Sequence, residues 1–420
     1  MKYGLLLVVL CLLNAIMLYP TTARSDDNKV KLSGQLRTRS ELDGKDFNSD
    51  TTLNRFTLLR ARLNATFQPA DKISTFVQWQ DSRAYGSENA PNPGTLTDTH
   101  NVDLHQAYVQ VNDFFVDKLV LKMGRMELSY AEERLVGAVG WDNVGRAFDG
   151  TLLRYQTSKT FSADLWGTKL VAQADPKVTD DTGFYFCGLY TTYQPKETYR
   201  LDLYALGEWN RKQTVKDEDD LRRITVGTYD RGTLKPIDYE VEAAVQLGKR
   251  HNPTNKKRET VSALMLTGSL GYTLDISQKP RIAVGYDYLS GRGAEDEDYK
   301  VFDTLFATNH KFYGFMDYFL NIPLHTDGAG LIDLMAKFQL SPHKTLTLKA
   351  DLHQFMSAKK VKSENNYGQE VDLTAIYRYY KALGFTLGAS LFLPGELMKA
   401  RFGGNDAPAF WSYLMTTANF

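Results

Sequence analysis

The chain has 420 residues, and its 50 basic and 50 acidic side chains cancel to a net charge of zero. That balance removes the electrostatic case for a nucleic-acid partner or a polybasic membrane anchor. With 43% hydrophobic and 24% charged residues the chain is too apolar for disorder, and only its first segment is apolar enough to span a bilayer as a helix.

That first segment opens with Lys2, runs apolar from Leu5 to Leu18 and reaches small residues at Thr21-Thr22-Ala23. This is the order of a secretory signal peptide cleaved near Ala23, so residues 1–23 are expected to be an export signal and 24–420 one mature domain. Cys11 follows Leu10 instead of the small residue that lipidation requires, and Cys187 then stands alone in the mature chain. One thiol supports neither an internal disulfide nor a zinc cluster.

Beyond the signal the apolar residues recur with period two, the mark of strands and not of helices. Leu59, Ala61, Leu63, Ala65 and Phe67 alternate with Arg60, Arg62, Asn64 and Thr66. Further along, Ile237, Tyr239, Val241, Ala243, Val245 and Leu247 alternate with Asp238, Glu240, Glu242 and Gln246. About eighteen such segments run from 30–42 to 409–420, roughly one per 22 residues, a spacing suited to membrane-crossing strands.

The connections alternate in length. QPADK from Gln68, QPKET from Gln194, SQKP from Ser277 and SPHKT from Ser341 are short and turn-like, whereas 82–101, 128–145, 249–259, 356–368 and 290–329 are long and polar. The expected fold is therefore all-β: a transmembrane antiparallel up-and-down β-barrel with short periplasmic turns and long extracellular loops. A soluble sandwich has similar strands, but the absence of a domain linker and the Leu-, Phe-, Tyr- and Trp-rich outer faces favour the barrel. The last strand, Phe410 to Phe420, ends on an aromatic residue, the form that the outer-membrane assembly machinery reads.

No nucleophile elbow, helical metal-binding His pair, phosphate loop or dinucleotide fingerprint is present, so neither an enzyme nor a cofactor is expected. His310, His325, His343 and His353 read as satisfied surface histidines. The acidic runs 217–220 and 295–298 read as solvated outer loops. Parity places Arg37, Arg39, Arg60 and Arg62 together on the polar, lumen-facing side of the first two strands, with Arg200, Arg281 and Arg378 on later ones. Guanidinium groups keep their charge and grip carboxylates bidentately, so a ladder of them favours polyanions. Bracing against Asp202, Glu240, Asp287, Asp333, Asp351 or Asp372 is the other role open to each.

From Met123 to Gly150 the chain reads MGRMELSYAEERLVGAVGWDNVGRAFDG, which resembles the signature of the alginate-export family of outer-membrane porins. FDTLFATNHKFYGFMDYF from Phe302 and GQEVDLTAIYRYYKALGFTLGASLFLPG from Gly368 resemble later segments of that family. The resemblance implies an eighteen-stranded barrel in the outer membrane of a Gram-negative-type bacterium. Its electropositive lumen would conduct an anionic polysaccharide, with Arg125, Arg134, Arg146 and Asp149 at the constriction or in the network holding its loop. Partners implied are the polysaccharide or another carboxylated solute, outer-membrane lipid and lipopolysaccharide, the assembly machinery, and periplasmic delivery proteins. A general porin with opposed charges, and a barrel-displayed adhesin working through loop 290–329, are the alternative readings.

Overall fold

The computed structural model describes residues 29–85, 100–171, 183–214, 217–252 and 257–420, so the expected export signal lies outside the described residues. Eighteen strands form one sheet. They are β1 (Lys29–Gly44), β2 (Asn54–Ala70), β3 (Ile73–Ala84), β4 (His100–Val111), β5 (Leu119–Met126) and β6 (Phe148–Gln156). Next come β7 (Phe161–Val171), β8 (Phe184–Lys196), β9 (Tyr199–Thr214), β10 (Asp217–Leu234), β11 (Ile237–His251) and β12 (Arg258–Thr273). The last six are β13 (Arg281–Leu289), β14 (Leu331–His343), β15 (Leu346–Val361), β16 (Glu364–Tyr380), β17 (Leu383–Pro394) and β18 (Ala409–Asn419).

Every strand pairs antiparallel with its sequence neighbours, and β1 also pairs with β18, which closes the sheet. Closure satisfies the backbone of the edge strands, the condition for crossing hydrocarbon with a sheet. At the seam Gly34 and Phe420 exchange backbone hydrogen bonds of 2.7 and 3.0 Å. A Cβ on Gly34 would stand 2.4 Å from the Phe420 ring, so the seam needs glycine there.

The period-two pattern becomes two faces. Along β12 burial alternates residue by residue from Arg258 to Thr267. Leu264 and Leu266 are exposed outward while Ala263, Met265 and Thr267 are buried inward. The outside carries leucine and valine, with Phe67, Tyr155, Phe161, Tyr193, Tyr272 and Tyr377 exposed near the end that holds the chain termini. Such an apolar band with an aromatic girdle suits a bilayer. Among the described residues no helix is long and apolar enough to cross a membrane.

Connections at the terminal end are tight, for example 71–72, 197–198, 235–236, 344–345 and 381–382, and those at 45–53, 127–147, 290–330 and 395–408 on the other end are long. The expected long loop at 356–368 is instead a two-residue hairpin. β15 and β16 run on until Lys362 (φ 49°) and Ser363 (φ 78°), whose consecutive left-handed conformations make the turn that matches strand twist. The acidic run at 217–220, expected in a loop, opens β10.

The long connections fold into the barrel. Phe47, Leu128, Leu135, Val136, Phe302, Phe312, Tyr313, Met316 and Phe319 pack with the inward residues Met126, Phe148, Phe355 and Phe392 in one apolar cluster at the loop end. Helix α1 (Ile322–His325) and helix α2 (Glu396–Arg401) are single short turns within these connections.

Candidate functional site

The inner wall of β1 to β3 is a strip of hydrogen-bond donors. Arg37 and Arg60 are opposite each other in the β1–β2 register. Like charges so placed repel unless something else holds them. Arg37 donates Nη1 to the carbonyl of Gly140 and Nη2 to that of Asp142, both at 2.8 Å. Arg60 Nη1 reaches the same two carbonyls at 3.1 and 2.9 Å, and its Nη2 donates to Gln35 Oε1 at 2.8 Å. Arg39 donates Nη1 to the Trp141 carbonyl (2.6 Å), lies 4.1 Å over that indole and pairs with Glu41 at 2.6 Å.

Two neighbouring wall residues continue the row. Ser82 Oγ donates to the Asn143 carbonyl and Gln80 Nε2 to the Val144 carbonyl, each at 2.7 Å. Five consecutive carbonyls, 140 to 144, are thus taken by side chains of β1, β2 and β3. Irregular backbone at membrane depth is tolerated only where protein satisfies it, and this strip does so. Arg62, half-buried beside them, donates Nε to Gln80 Oε1 (2.5 Å), and its Nη1 lies 3.4 Å from Glu127. His105 links in through contacts of 3.2 Å to Arg62 and 2.8 Å to Glu127.

Loop 127–147 is clasped from its other side by loop 290–330. Gly137 N–H donates to Phe306 O (2.8 Å) and Phe306 N–H to Leu135 O (2.9 Å). Arg146 donates Nη1 to the Phe306 carbonyl and, at 3.2 Å, to that of Ala307. Burial, with no carboxylate in close contact, holds the Arg146 guanidinium below its ordinary range. Lys311 pairs with Glu133 at 2.9 Å. Burial alone raises a carboxyl, but hydrogen bonds from Lys311, Ser129 and Thr308 outweigh it and keep Glu133 below its ordinary value.

The wall from β9 to β16 is carboxylate-rich. Buried Arg134 crosses the lumen to Asp287 at 2.6 Å, with Phe312 4.0 Å beneath its guanidinium. Desolvation opposes this cation, yet Asp287 prevails and holds Arg134 above the usual guanidinium range. Arg223 on β10 reaches Glu208 (2.7 Å) and Asp303 (2.8 Å), and Gln246 brackets the Asp303 backbone by accepting from its N–H and donating to its carbonyl. Glu370 accepts the Met316 N–H at 2.7 Å and Asp372 the Phe315 N–H at 3.3 Å. Both loops are therefore bolted to the wall by polar side chains.

The other candidates fall into three situations. Arg200 and Arg281 face the lumen but are held bidentately, by Asp202 (2.9 and 2.7 Å) and Asp238 (2.9 and 2.5 Å). Arg281 reaches β11 by lying across Gly271, where a Cβ would meet its Nη2 at 2.3 Å. Arg378 is exposed at the terminal rim, and no acceptor for its guanidinium stands among the described residues. Arg125 and Asp149 differ from expectation: they pair with each other at 2.8 and 2.7 Å on the outer face, 41% and 54% exposed. Their neighbours Met126 and Phe148 take the inward positions, and alternation turns 125 and 149 away from the lumen.

Two histidines also depart from expectation. His310 is buried, stacked 4.0 Å from Trp141 and bonded to Asp317 at 2.7 Å, and His353 is buried against Asp333 at 2.7 Å. Loop 290–330, the working part of the adhesin alternative, is packed inside the barrel. Gln80, Ser82 and Gln246 carry no charge and so escape a reading of the wall by its arginines, although their inward parity is legible in the sequence. Among the described residues no cluster of three or more potential metal ligands occurs.

The sequence matches the alginate export family over residues 28–410. No curated protein matches it. Among solved structures the chain is similar to OccAB1 of Acinetobacter baumannii, with TM-score 0.65 and 11% identity over 95% of this chain and 98% of that one. A BenF-like porin from Pseudomonas fluorescens Pf-5 is similar at TM-score 0.61 and 10% identity, over 93% and 98%. Pseudomonas aeruginosa OccK8 (OprE) is similar at 0.59 and 13%, over 93% and 98%.

Proposed function

The chain belongs to the alginate export family and forms an outer-membrane channel, and we propose that this channel passes an alginate-like polyuronate or another carboxylated solute. Arg60 carries the reading. It faces the lumen, and its acceptors are two backbone carbonyls and the Gln35 amide oxygen, all neutral. Neutral acceptors satisfy N–H groups without cancelling charge, so the positive field of the strip extends into the passage. Conduction needs sites that attract weakly and repeatedly, and a field over loop-covered arginines does this where direct bidentate capture would trap a polymer.

A second reading rests on Arg200–Asp202 and Arg281–Asp238: arginines so paired brace the wall, as in a general porin with opposed charges. Residues 1–23 are proposed as the export signal. Periplasmic delivery proteins and lipopolysaccharide are proposed partners of the two barrel ends.

Reversal potential in a salt gradient, measured on the mature chain in a planar bilayer with and without oligouronates, tests the leading reading. Anion-selective current blocked by the oligomers is expected. Weakly selective current indifferent to them would replace it with the general porin.

A further inference from the structure

We propose that the periplasmic rim carries a carboxylate-binding site, formed by Lys344, Arg378 and Lys381, at which a polyuronate strand first engages the channel. Lys344 lies in the β14–β15 turn and Lys381 in the β16–β17 turn, while Arg378 is near the end of β16. The Arg378 N–H donates to Thr345 O and the Asn419 N–H to Ala382 O, both at 2.8 Å, which ties the two turns and the last strand together. Between them is a cavity of about 450 Å³ lined by these cations with Gly384, Thr417 and Asn419.

Charge singles this place out. Lumen arginines elsewhere are engaged, Arg154, Arg200 and Arg281 by aspartates and Arg37 and Arg60 by loop carbonyls, and even the rim lysine Lys72 pairs with Asp113 at 3.3 Å. Lys344, Arg378 and Lys381 are all exposed, and among the described residues none of the three has a carboxylate within 4 Å. A guanidinium flanked by two ammonium groups suits a bidentate carboxylate with a second charge nearby, the spacing problem a polyuronate poses.

Neutral lining completes the match. Thr345, Thr417 and Asn419 offer hydroxyl and amide groups to sugar hydroxyls, and a Cβ on Gly384 would meet nothing nearer than a carbonyl at 3.7 Å. The volume lies within the range of small-ligand sites. Arg378, Gly384, Thr417 and Asn419 have lumen parity and give the cavity a polar side toward the passage, while Tyr379, Tyr380 and Leu383 line its other side, so its charged face is the one a transported polymer meets.

The inference rests on the polyuronate reading and adds direction to it: a strand coming from the periplasm meets these cations before the arginines of β1 and β2. The test compares the native barrel with K344Q/R378Q/K381Q in planar bilayers, their orientation set by one-sided protease treatment, adding oligogalacturonate to one side at a time. The blocking on-rate from the periplasmic side should fall about tenfold in the variant, the scale of electrostatic steering. From the extracellular side it should stay within about twofold, and the difference should fade near 1 M salt as the Debye length shrinks. Unit conductance reports that the variant is folded.

Equal periplasmic on-rates in both proteins would overturn the site, as would equal falls from both sides. A fall that appears only in bilayers of anionic lipid would reassign the cations to headgroup phosphate and also overturn it. If oligogalacturonate blocks the native barrel from neither side, the polyuronate reading itself fails and the rim site with it.

Discussion

Arg37 and Arg60 stand opposite each other across the β1–β2 ladder and donate to the same two carbonyls, those of Gly140 and Asp142. Two like charges share neutral acceptors from a loop more than a hundred residues distant from Arg37 in sequence. The loop gains satisfied carbonyls, and the wall keeps its positive charge. On the proposed reading, anion preference and loop position are coupled through these side chains.

Arg60→Gln removes two of those hydrogen bonds, both made by Nη1. Hydrogen bonds from charged groups are worth about 2 kcal/mol, roughly a thirtyfold shift in a local opening equilibrium. Open-channel noise should rise, and one-sided protease should cut within loop 127–147 faster than in the native barrel. Unchanged cleavage would mean that Arg37 and Gln80 hold the loop without help.

The buried Arg134–Asp287 pair predicts strong non-additivity. Arg134→Met or Asp287→Leu alone strands a buried charge and should cost about 3–5 kcal/mol, whereas the double change should recover most of that loss. Denaturant unfolding of the refolded barrel measures it. Additive losses would show that Arg134 is held by the neighbouring Glu240 and Glu242 as much as by Asp287.

Arg125 and Asp149 face outward, so Arg125→Gln with Asp149→Asn should leave reversal potential and oligouronate block within error of the native values. A loss of anion preference in that variant would put these residues in the passage after all.

pH acts on the clasp between the loops. Glu133 is held below its ordinary carboxyl value, so its contribution is fully present above the unfolded value of about 4.3 and is lost as pH falls through the lower folded value. The Lys311–Glu133 bridge should therefore survive at neutrality and dissolve in acid, with channel noise increasing below about pH 4. Glu133→Gln should show that noise at pH 7 and lose this part of the acid response.

Gly34→Leu places a side chain where the Phe420 ring and the Arg62 carbonyl already stand, at 2.4 and 2.8 Å from a Cβ. The β1–β18 seam should weaken, and the folded, heat-modifiable band should convert to the unfolded one at a lower temperature than in the native protein. An unaltered transition would show that the Phe420 ring swings aside freely.

The strands, their number and the inward parity of Arg37, Arg39, Arg60 and Arg62 were determined by the sequence itself, because alternation is written between residues i and i+2. Parity could be read wherever a strand's phase was clear. Arg125 and Asp149, placed at the constriction only by the family resemblance, turn outward because Met126 and Phe148 take the inward positions by packing into the loop cluster. The hairpin at 362–363 was hidden because its polar composition resembles a loop, and only its two left-handed residues reveal strand continuing on both sides.

What covers the lumen face was decided by tertiary structure alone. The arginines' acceptors are backbone carbonyls, which every residue carries, so no side-chain pattern could mark Gly140 or Asp142 as their partners. His310 became buried because the Trp141 indole on which it stacks comes from a distant loop, and His353 because its inward position meets Asp333 on the neighbouring strand. Alternation is local and chooses a face; the packing of irregular loops against that face is long-range and exists only once the barrel has closed.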